Sequence, residues 1–302
     1  MRFNRLDLNL LVALDAILVE GSVSRAAERT NLSQSAMSGA LARLREYFGD
    51  ELFVPVGRKL VRTALADSLA GPVRDILMRV DATVAAVPVF DPASADRRFS
   101  IVASDYMLTV LMDRVLARVY REAPGIAFQF FSADKAVEMI ERGEADLLLI
   151  PQQFALPDHP SEPVLEDSYT CVAWAQNREL GETLPLDQYL AMGHVASILG
   201  PSRMPTFEGW FLKEFGVSRK VEVVTYNLSS PPMLVIGTNR LATVHTRLAR
   251  RYARHLPIRL MPPPVAFPKL RMVMQWHRYK SHDPGLVWLR RLIEAVAAEE
   301  AI

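Results

Sequence analysis

The chain has a single cysteine, Cys171, which excludes an intramolecular disulfide framework and any cysteine-rich zinc site. It lies in the apolar, aromatic run from Tyr169 to Trp174, so a buried small hydrophobe is expected there. Long apolar runs are missing as well. No stretch approaches the roughly 18 uninterrupted apolar residues of a membrane span. The apolar N-terminal segment is broken by Asp7, Asn9, Asp15 and Glu20 and has no small-residue cleavage site after it, so a cytoplasmic protein without membrane contact is expected. Catalytic signatures are absent: there is no G-x-S-x-G elbow, no G-x-G-x-x-G after a strand, no P-loop lysine and no H-E-x-x-H. His159, His194, His245, His255, His277 and His282 share no metal-ligand spacing on a helix, and Cys171 has no base near it in sequence. No enzyme, cofactor or metal site is therefore expected. Net charge is almost absent too, 35 Lys and Arg against 34 Asp and Glu, so nucleic acid must be met by a local basic face rather than by the whole molecule.

What is present is a chain of 302 residues, half of them hydrophobic, enough for two or three units with separate cores. Residues 6–19 place Leu10, Leu14, Ile17 and Leu18 on one helical stripe that ends at Gly21-Ser22. A short helix is predicted from Ser24 to Arg29 and a turn over Thr30–Leu32. A third helix follows, N-capped by Ser33 and running to about Tyr47, with Met37, Leu41 and Leu44 on its inner face. Such a helix pair needs a small residue where the helices touch, which Ala27 supplies, and a residue tolerant of left-handed backbone four positions on, which is Asn31. Ala26, Leu32, Met37 and Ala40 are expected to fill the shared core. Short strands at Leu52–Val54 and Leu60-Val61 then flank a turn over Pro55–Lys59, completing a winged helix-turn-helix.

The outer face of the third helix carries Gln34, Ser35, Ser38, Gly39, Ala42, Arg43 and Arg45. A glutamine near the start of a recognition helix can pair with adenine through two hydrogen bonds in the major groove, and Ser33, Ser35 and Ser38 are small enough for close approach to bases or phosphates. Arg43 and Arg45, with Arg58 and Lys59 in the wing turn, are the expected phosphate contacts. From Ala64 onward Leu65, Leu69, Val73, Ile76, Val80, Val84 and Val87 recur in steps of three and four, the seam of a long helix over 64–89 that Gly71-Pro72 could kink. A second copy of the same helix is the expected cover.

After a hinge at Pro88–Pro92, strands and helices alternate. The predicted order is strand 98–103, helix 106–122, strand 126–130, helix 133–142 and strand 146–150; then strand 168–174, helix 186–191, strand 194–198, helix 206–215, strand 219–225, helix 228–237, strand 240–244 and helix 246–254; finally strand 269–276 and helix 284–298. This is an α/β pattern with parallel pairing and helices on both faces. Two lobes result, one from about 90–167 and 268–302, the other from about 168–267, with a ligand crevice at the carboxyl ends of the strands. Candidate effector contacts at those ends are Ser104, Asp105, Ser132, Pro151, Ile198, Asn227 and His245. Asp105 would oppose an anionic ligand and has a helix-capping role as its alternative. His194 reads better as a core histidine, and Phe130-Phe131 and Trp210-Phe211 as core aromatics.

Residues 1–63, with LDLNLLVALDAI, SVSRAAERTNLSQSAMSGALARLREYFGDELF and GRKLVRT, resemble the LysR-type transcriptional regulators, and within them the NodD/NahR-like branch. DRRFSIVASDYM, GEADLLLIP, MGHVA, GTNRLATV and DPGLVWLR extend the resemblance in order along the chain. It implies a periplasmic-binding-protein-like effector domain, a homodimer or homotetramer on double-stranded promoter or operator DNA, paired linker helices and a small-molecule effector, a flat aromatic compound in this branch. RNA polymerase is a further candidate partner. Three departures stand out. Ser35 occupies the usual proline position after the recognition-helix glutamine, Gly39 stands where many relatives have arginine, and Thr63-Ala64 replaces Thr-Pro, with Thr63 still able to cap. The competing readings are a solute-binding protein that never touches DNA and a coiled-coil adaptor built on 64–87; steep salt dependence of DNA binding separates the regulator from both.

Overall fold

The structure is a computed structural model. It describes residues 6–57, 59–84, 90–199, 204–205, 212, 214, 216 and 218–299. The chain divides at residues 86/87 into two compact units.

In the first unit, α1 (Leu8–Glu20), α2 (Val23–Arg29) and α3 (Gln34–Phe48) are followed by the hairpin β1 (Phe53–Val56) and β2 (Lys59–Arg62), then by α4 (Ala64–Val84). Each start has a side-chain cap: Asp7 for α1, Ser22 for α2 and Ser33 for α3. Gly21 and Gly49, at φ 56° and 65°, close α1 and α3 in the left-handed conformation that glycine adopts without cost. Leu10, Leu14, Ile17, Leu18, Ala26, Met37, Leu41 and Leu44 are buried as expected. Leu32 is not; it is 45% exposed, and the buried Leu52 and Phe53 from the wing fill the core instead. The wing turn is also tighter than Pro55–Lys59, because Val56 already pairs with Lys59 and both strands run further inward. Asp50 ties the two ends of the wing together, accepting from the Leu52 N–H at 2.6 Å and the Thr63 hydroxyl at 2.7 Å. Thr63 in turn accepts from the Ala66 N–H and so caps α4.

α4 is continuous through Gly71-Pro72. Both residues are exposed, so the carbonyl that loses its partner to proline faces water rather than a core. Its seam is divided. Leu65, Leu69 and Val73 pack into the core of their own unit, while Ile76 and Val80 are 44% and 37% exposed. The Arg74–Asp15 ion pair, 2.8 Å long with both side chains 18% exposed, clamps the first half of α4 to α1. Of the expected seam, the side chain of Val84 and all of Val87 lie outside the described residues.

The second unit has two sheets. The first runs β4-β3-β5-β13-β6, with β3 (Arg97–Ala103), β4 (Ile126–Phe131) and β5 (Leu147–Pro151) parallel and β13 (Leu270–Gln275) antiparallel to both β5 and β6 (Ser161–Asp167). The second runs β10-β8-β11-β7-β12, from β7 (Tyr169–Trp174), β8 (Gly193–Leu199), β10 (Lys220–Thr225), β11 (Leu241–His245) and β12 (Ile258–Met261); the short β9 (Met204–Pro205) pairs with β8. The helices are α5 (Asp105–Met107), a π-helical turn over Leu108–Met112, α6 (Asp113–Glu122), α7 (Ala136–Glu141), α8 (Leu186–Ala191), α9 (Pro231–Leu234), α10 (Thr246–Ala253) and α11 (Pro284–Ala298). Cores lie on both faces of each sheet. Phe130 and Phe131 are packed on opposite cores of the first lobe, and Cys171 and His194 are core residues of the second. Trp210, Phe211 and most of the expected helix 206–215 lie outside the described residues.

Two expectations are corrected here. β6 and β12 are strands that the hydrophobic pattern did not predict. The expected helix over 228–237 shrinks to one turn, because Pro231-Pro232 set its start and Gly237, at φ 74°, lies beyond its short run. The returning strand and helix are locked to the first lobe by a two-bond ion pair from Arg97 to Asp283 at 2.6 and 2.8 Å, and Asp283 also caps α11.

Candidate functional site

The first candidate surface is built on α3. Ala27, 3% exposed, lets α2 and α3 approach, and Asn31 takes the left-handed turn position at φ 54°. The chain then enters α3 through Ser33, whose Oγ accepts from the Ala36 N–H at 3.1 Å and lies 3.0 Å from the Ser35 hydroxyl. With Met37, Leu41 and Leu44 turned inward, Ser33, Gln34, Ser35, Ser38, Gly39, Ala42 and Arg43 are left exposed. A Cβ on Gly39 would meet nothing within 4 Å, so packing inside the unit does not require glycine there. Its bareness instead leaves the middle of the helix open to close approach.

Among the described residues Arg43 makes a 3.7 Å surface pair with Asp7, with 60% of its side chain exposed, and such a pair yields readily to a phosphate. Arg45 behaves differently from the expectation. Its Nε donates to the Glu51 carbonyl at 2.8 Å and its Nη2 to the Phe53 carbonyl at 2.7 Å, with the Glu51 carboxylate 3.3 Å away. These bonds direct Arg45 to the hairpin, so it fastens the wing to α3 rather than facing outward as a free phosphate contact. Arg58 lies outside the described residues, and of Lys59 only the backbone is described, opening β2.

The second candidate surface follows from strand order. In each sheet the chain moves to opposite sides of a central strand, β3 in one lobe and β8 in the other, which opens a crevice at the carboxyl ends. Ser104, Ser132 and Pro151 stand at the ends of β3, β4 and β5, and Ile198, Asn227 and His245 at or just past the ends of β8, β10 and β11. Ser104 caps α5, its Oγ accepting from the Met107 N–H at 3.4 Å. Asp105 does something that spacing did not show. Its carboxylate reaches into the second lobe and accepts from the backbone N–H of Leu228, at 3.1 and 3.0 Å, and of Ser229, at 2.7 Å. Thr109, on the π-helical turn, meets the Ser229 hydroxyl at 3.4 Å. Asn227 holds the receiving loop: its Oδ1 accepts from the Ser230 N–H and its carbonyl from the Ser197 hydroxyl.

His245 is enclosed, 7% exposed, between Tyr106 and Tyr169 with ring centroids 4.2 and 5.1 Å away. Burial lowers its pKa to about 4 against a small opposing pull from Asp105, so it is neutral at physiological pH. It sits behind the crevice as a support rather than lining it openly. The Tyr106 hydroxyl donates to Asp167 at 2.7 Å, and the same carboxylate accepts the backbone N–H of Ser168, just before β7, and of Arg247, in the first turn of α10. Burial raises the pKa of both Tyr106 and Asp167. Tyr106, Thr109, Asp167, Tyr169 and Ser229 were missed from the sequence; for the first four, nearness in sequence to Asp105 or to the crossing at residue 168 was the available signal, and Ser229 had none that pointed to Asp105. Ser104, Asp105, Asn227 and His245 come together at the lobe junction. Ser132, Pro151 and Ile198 stand at neighbouring strand ends without a described contact to that group.

A DNA-reading winged helix-turn-helix followed by a two-lobed crevice defines a ligand-responsive regulator. The comparisons agree. Residues 8–67 match the bacterial regulatory helix-turn-helix protein family of lysR type, and residues 92–298 match the LysR substrate binding domain. The chain is 40% identical over 302 residues to Nodulation protein D 1 of Bradyrhizobium diazoefficiens, covering 100% of this chain and 96% of that one. It is 42% identical over 303 residues to Nodulation protein D 1 of Rhizobium tropici, covering 100% and 98%. A solved structure of a probable transcriptional regulator from Pseudomonas aeruginosa matches with a TM-score of 0.66 and 26% identity over 98% of each chain. The chain belongs to the LysR family: it is a DNA-binding transcriptional regulator with an effector-binding domain, and not an enzyme. Among the described residues no helix is long and apolar enough to cross a membrane.

Proposed function

We propose that residues 1–63 read operator DNA, that 64–89 pair two chains, and that 90–302 sense a small, flat, aromatic effector between lobes formed by 90–167 with 268–302 and by 168–267. Gln34 is the base-reading residue, with Ser33, Ser35 and Ser38 at bases or phosphates and Arg43, Arg58 and Lys59 at the phosphate backbone. The observation that carries this reading is the capped, exposed polar face of α3 above a fully buried inner face. A homodimer or homotetramer presents two such helices to an inverted-repeat site in the cytoplasm, and contact with RNA polymerase belongs to the same reading.

In the crevice, the Leu228–Ser229 amides and the Ser104 hydroxyl are the polar contacts, and Asp105 is the internal occupant of the amides. Because that carboxylate already satisfies the amide pair, the site favours a neutral or phenolic ligand that donates to Asp105 over a carboxylate that competes with it. Ligand then shifts an equilibrium between lobe arrangements. The test is operator retention and effector titration with Asp105→Ala. The substitution is expected to weaken the effector response by about tenfold, one lost charge-assisted bond. An unaltered response removes Asp105 from the site.

A further inference from the structure

The chain enters the wing through a strained backbone position. Among the described residues, Asn31 and Leu52 combine a side chain with a positive φ, 54° and 56°. A short polar side chain eases that conformation at Asn31, whereas leucine has no such relief. Around Leu52 the Phe53 N–H donates to the Glu51 carbonyl, closing a γ-turn of the positive-φ kind, which is rare and strained. Strain of this sort persists where the surroundings over-determine the conformation.

Packing explains why the residue is a leucine. Leu52 and Phe53 are both fully buried, yet consecutive residues of an extended strand point to opposite faces. The turn at Leu52 lets both side chains enter one core, and glycine, which would relax φ, would leave that core short of a side chain. Packing does not account for the polar groups gathered on the same turn. Asp50 Oδ1 accepts from the Leu52 N–H at 2.6 Å and from the Thr63 hydroxyl at 2.7 Å. The Leu52 carbonyl accepts from the Thr63 N–H at 2.9 Å, and Arg45 donates to the carbonyls of Glu51 and Phe53 on either side.

What this base controls is the direction of the wing. Each wing strand has four residues, and such a hairpin is not stable by itself. Pro55, Val56, Val61 and Arg62 are exposed, so little beyond Phe53, Val54 and Leu60 can anchor it. The tip, where Val56 pairs with Lys59, lies three residues from Phe53, roughly 10 Å along the strand, so a change of backbone angle at Leu52 is magnified there. Thr63 also belongs to the start of the linker helix: its Oγ1 accepts from the Ala66 N–H at 3.2 Å and its carbonyl from the Asp67 N–H at 3.0 Å.

We propose that Asp50 is a positioning residue for DNA binding. By locking Leu52 in its left-handed turn it aims the wing tip at the phosphate backbone, and through Thr63 it ties that aim to the first turn of α4. This role rests on the reading of Arg58 and Lys59 as phosphate contacts.

The test is salt-dependent binding of full-length variants to a duplex selected from random DNA by the parent, each variant measured well below its melting temperature. Asp50→Ala removes the shared acceptor and is expected to bind about tenfold more weakly, with a salt slope lower by about one. Asp50→Asn keeps an Oδ1 acceptor for both bonds and should bind like the parent. Arg58→Ala with Lys59→Ala should lower the slope by about two, and adding Asp50→Ala to that pair should cause no further loss, because the wing then has no phosphate contact left to misplace. A merely structural role would not produce that dependence. Should Asp50→Ala fail to fold, Thr63→Val removes the arm to α4 and Thr63→Ser restores it, with the same loss and recovery expected. Parent-like binding by Asp50→Ala, or by Thr63→Val in its place, overturns the role of Asp50, as does a loss that adds in full to that of the wing pair. Parent-like binding by the Arg58→Ala, Lys59→Ala pair instead overturns the wing assignment, and the positioning role with it.

Discussion

Arg43 and Arg45 are two residues apart and chemically identical, yet the fold gives them different work. Arg43 makes a long surface pair, whereas Arg45 is spent on two wing carbonyls. Arg43→Ala is therefore expected to weaken DNA binding uniformly across sequences and to reduce the salt slope by about one, with little effect on stability. Arg45→Ala should cost about 1 kcal/mol of stability in the DNA-binding unit, since an exposed and a half-buried wing carbonyl lose a charged donor. Melting curves and salt titrations of the two variants check this, and identical behaviour of the pair contradicts it. Sequence placed both on the outer side of α3; only the position of the wing, set by contacts across the unit, tells them apart.

His245 and His194 are a second residue-scale case. Burial lowers both pKa values to about 4, from 6.5. The unfolded chain therefore binds protons that the folded chain refuses. Stability from these neutral imidazoles is complete above pH 6.5 and is lost as the pH falls toward 4. At about 1.4 kcal/mol per pKa unit, each histidine withdraws about 3 kcal/mol over that window. His245→Phe keeps a ring between Tyr106 and Tyr169 without the titration. Its melting temperature should fall less steeply than the parent's between pH 6.5 and 4.5, as scanning calorimetry can measure; equal slopes count against the assignment.

At the scale of elements, α4 shows what periodicity can and cannot say. A repeating apolar stripe reports that something covers it, not what. Here the core of the same unit covers Leu65, Leu69 and Val73, and among the described seam residues Ile76 and Val80 remain open for a second chain. Ile76→Ser with Val80→Ser should weaken self-association in sedimentation runs with little loss of monomer stability. Val73→Ala, at a position 3% exposed, should instead destabilise the DNA-binding unit by about 1–3 kcal/mol. Dissociation caused by Val73→Ala alone, with the serine pair silent, contradicts that division. The strands missed from the sequence, β6 and β12, are both sheet edges. Edge strands carry prolines and charges that blunt them, and SEPVLED has both, so no clean alternation was there to read. By contrast α3 and α11 were legible nearly to the residue, each with a side-chain cap, Ser33 and Asp283, just before its apolar spacing begins.

Across the whole molecule, the two-lobe pattern was visible in the alternation of strands and helices and in the return of the last strand and helix. Crevice positions followed from strand ends. The bonds that join the lobes did not, because Asp105 and its partners are 123 and 124 residues apart and nothing local announces the pairing. The regulator reading nonetheless rests first on the DNA face, since without sequence-specific binding the sensing unit has nothing to control. The most direct test is selection of random duplex DNA by the full-length protein and by Gln34→Ala, followed by sequencing. An inverted-repeat motif is expected for the parent, and for the variant a loss of about 1–3 kcal/mol of discrimination at one base position in each half-site. No motif above a salt-sensitive background, or an identical motif from both proteins, contradicts the account.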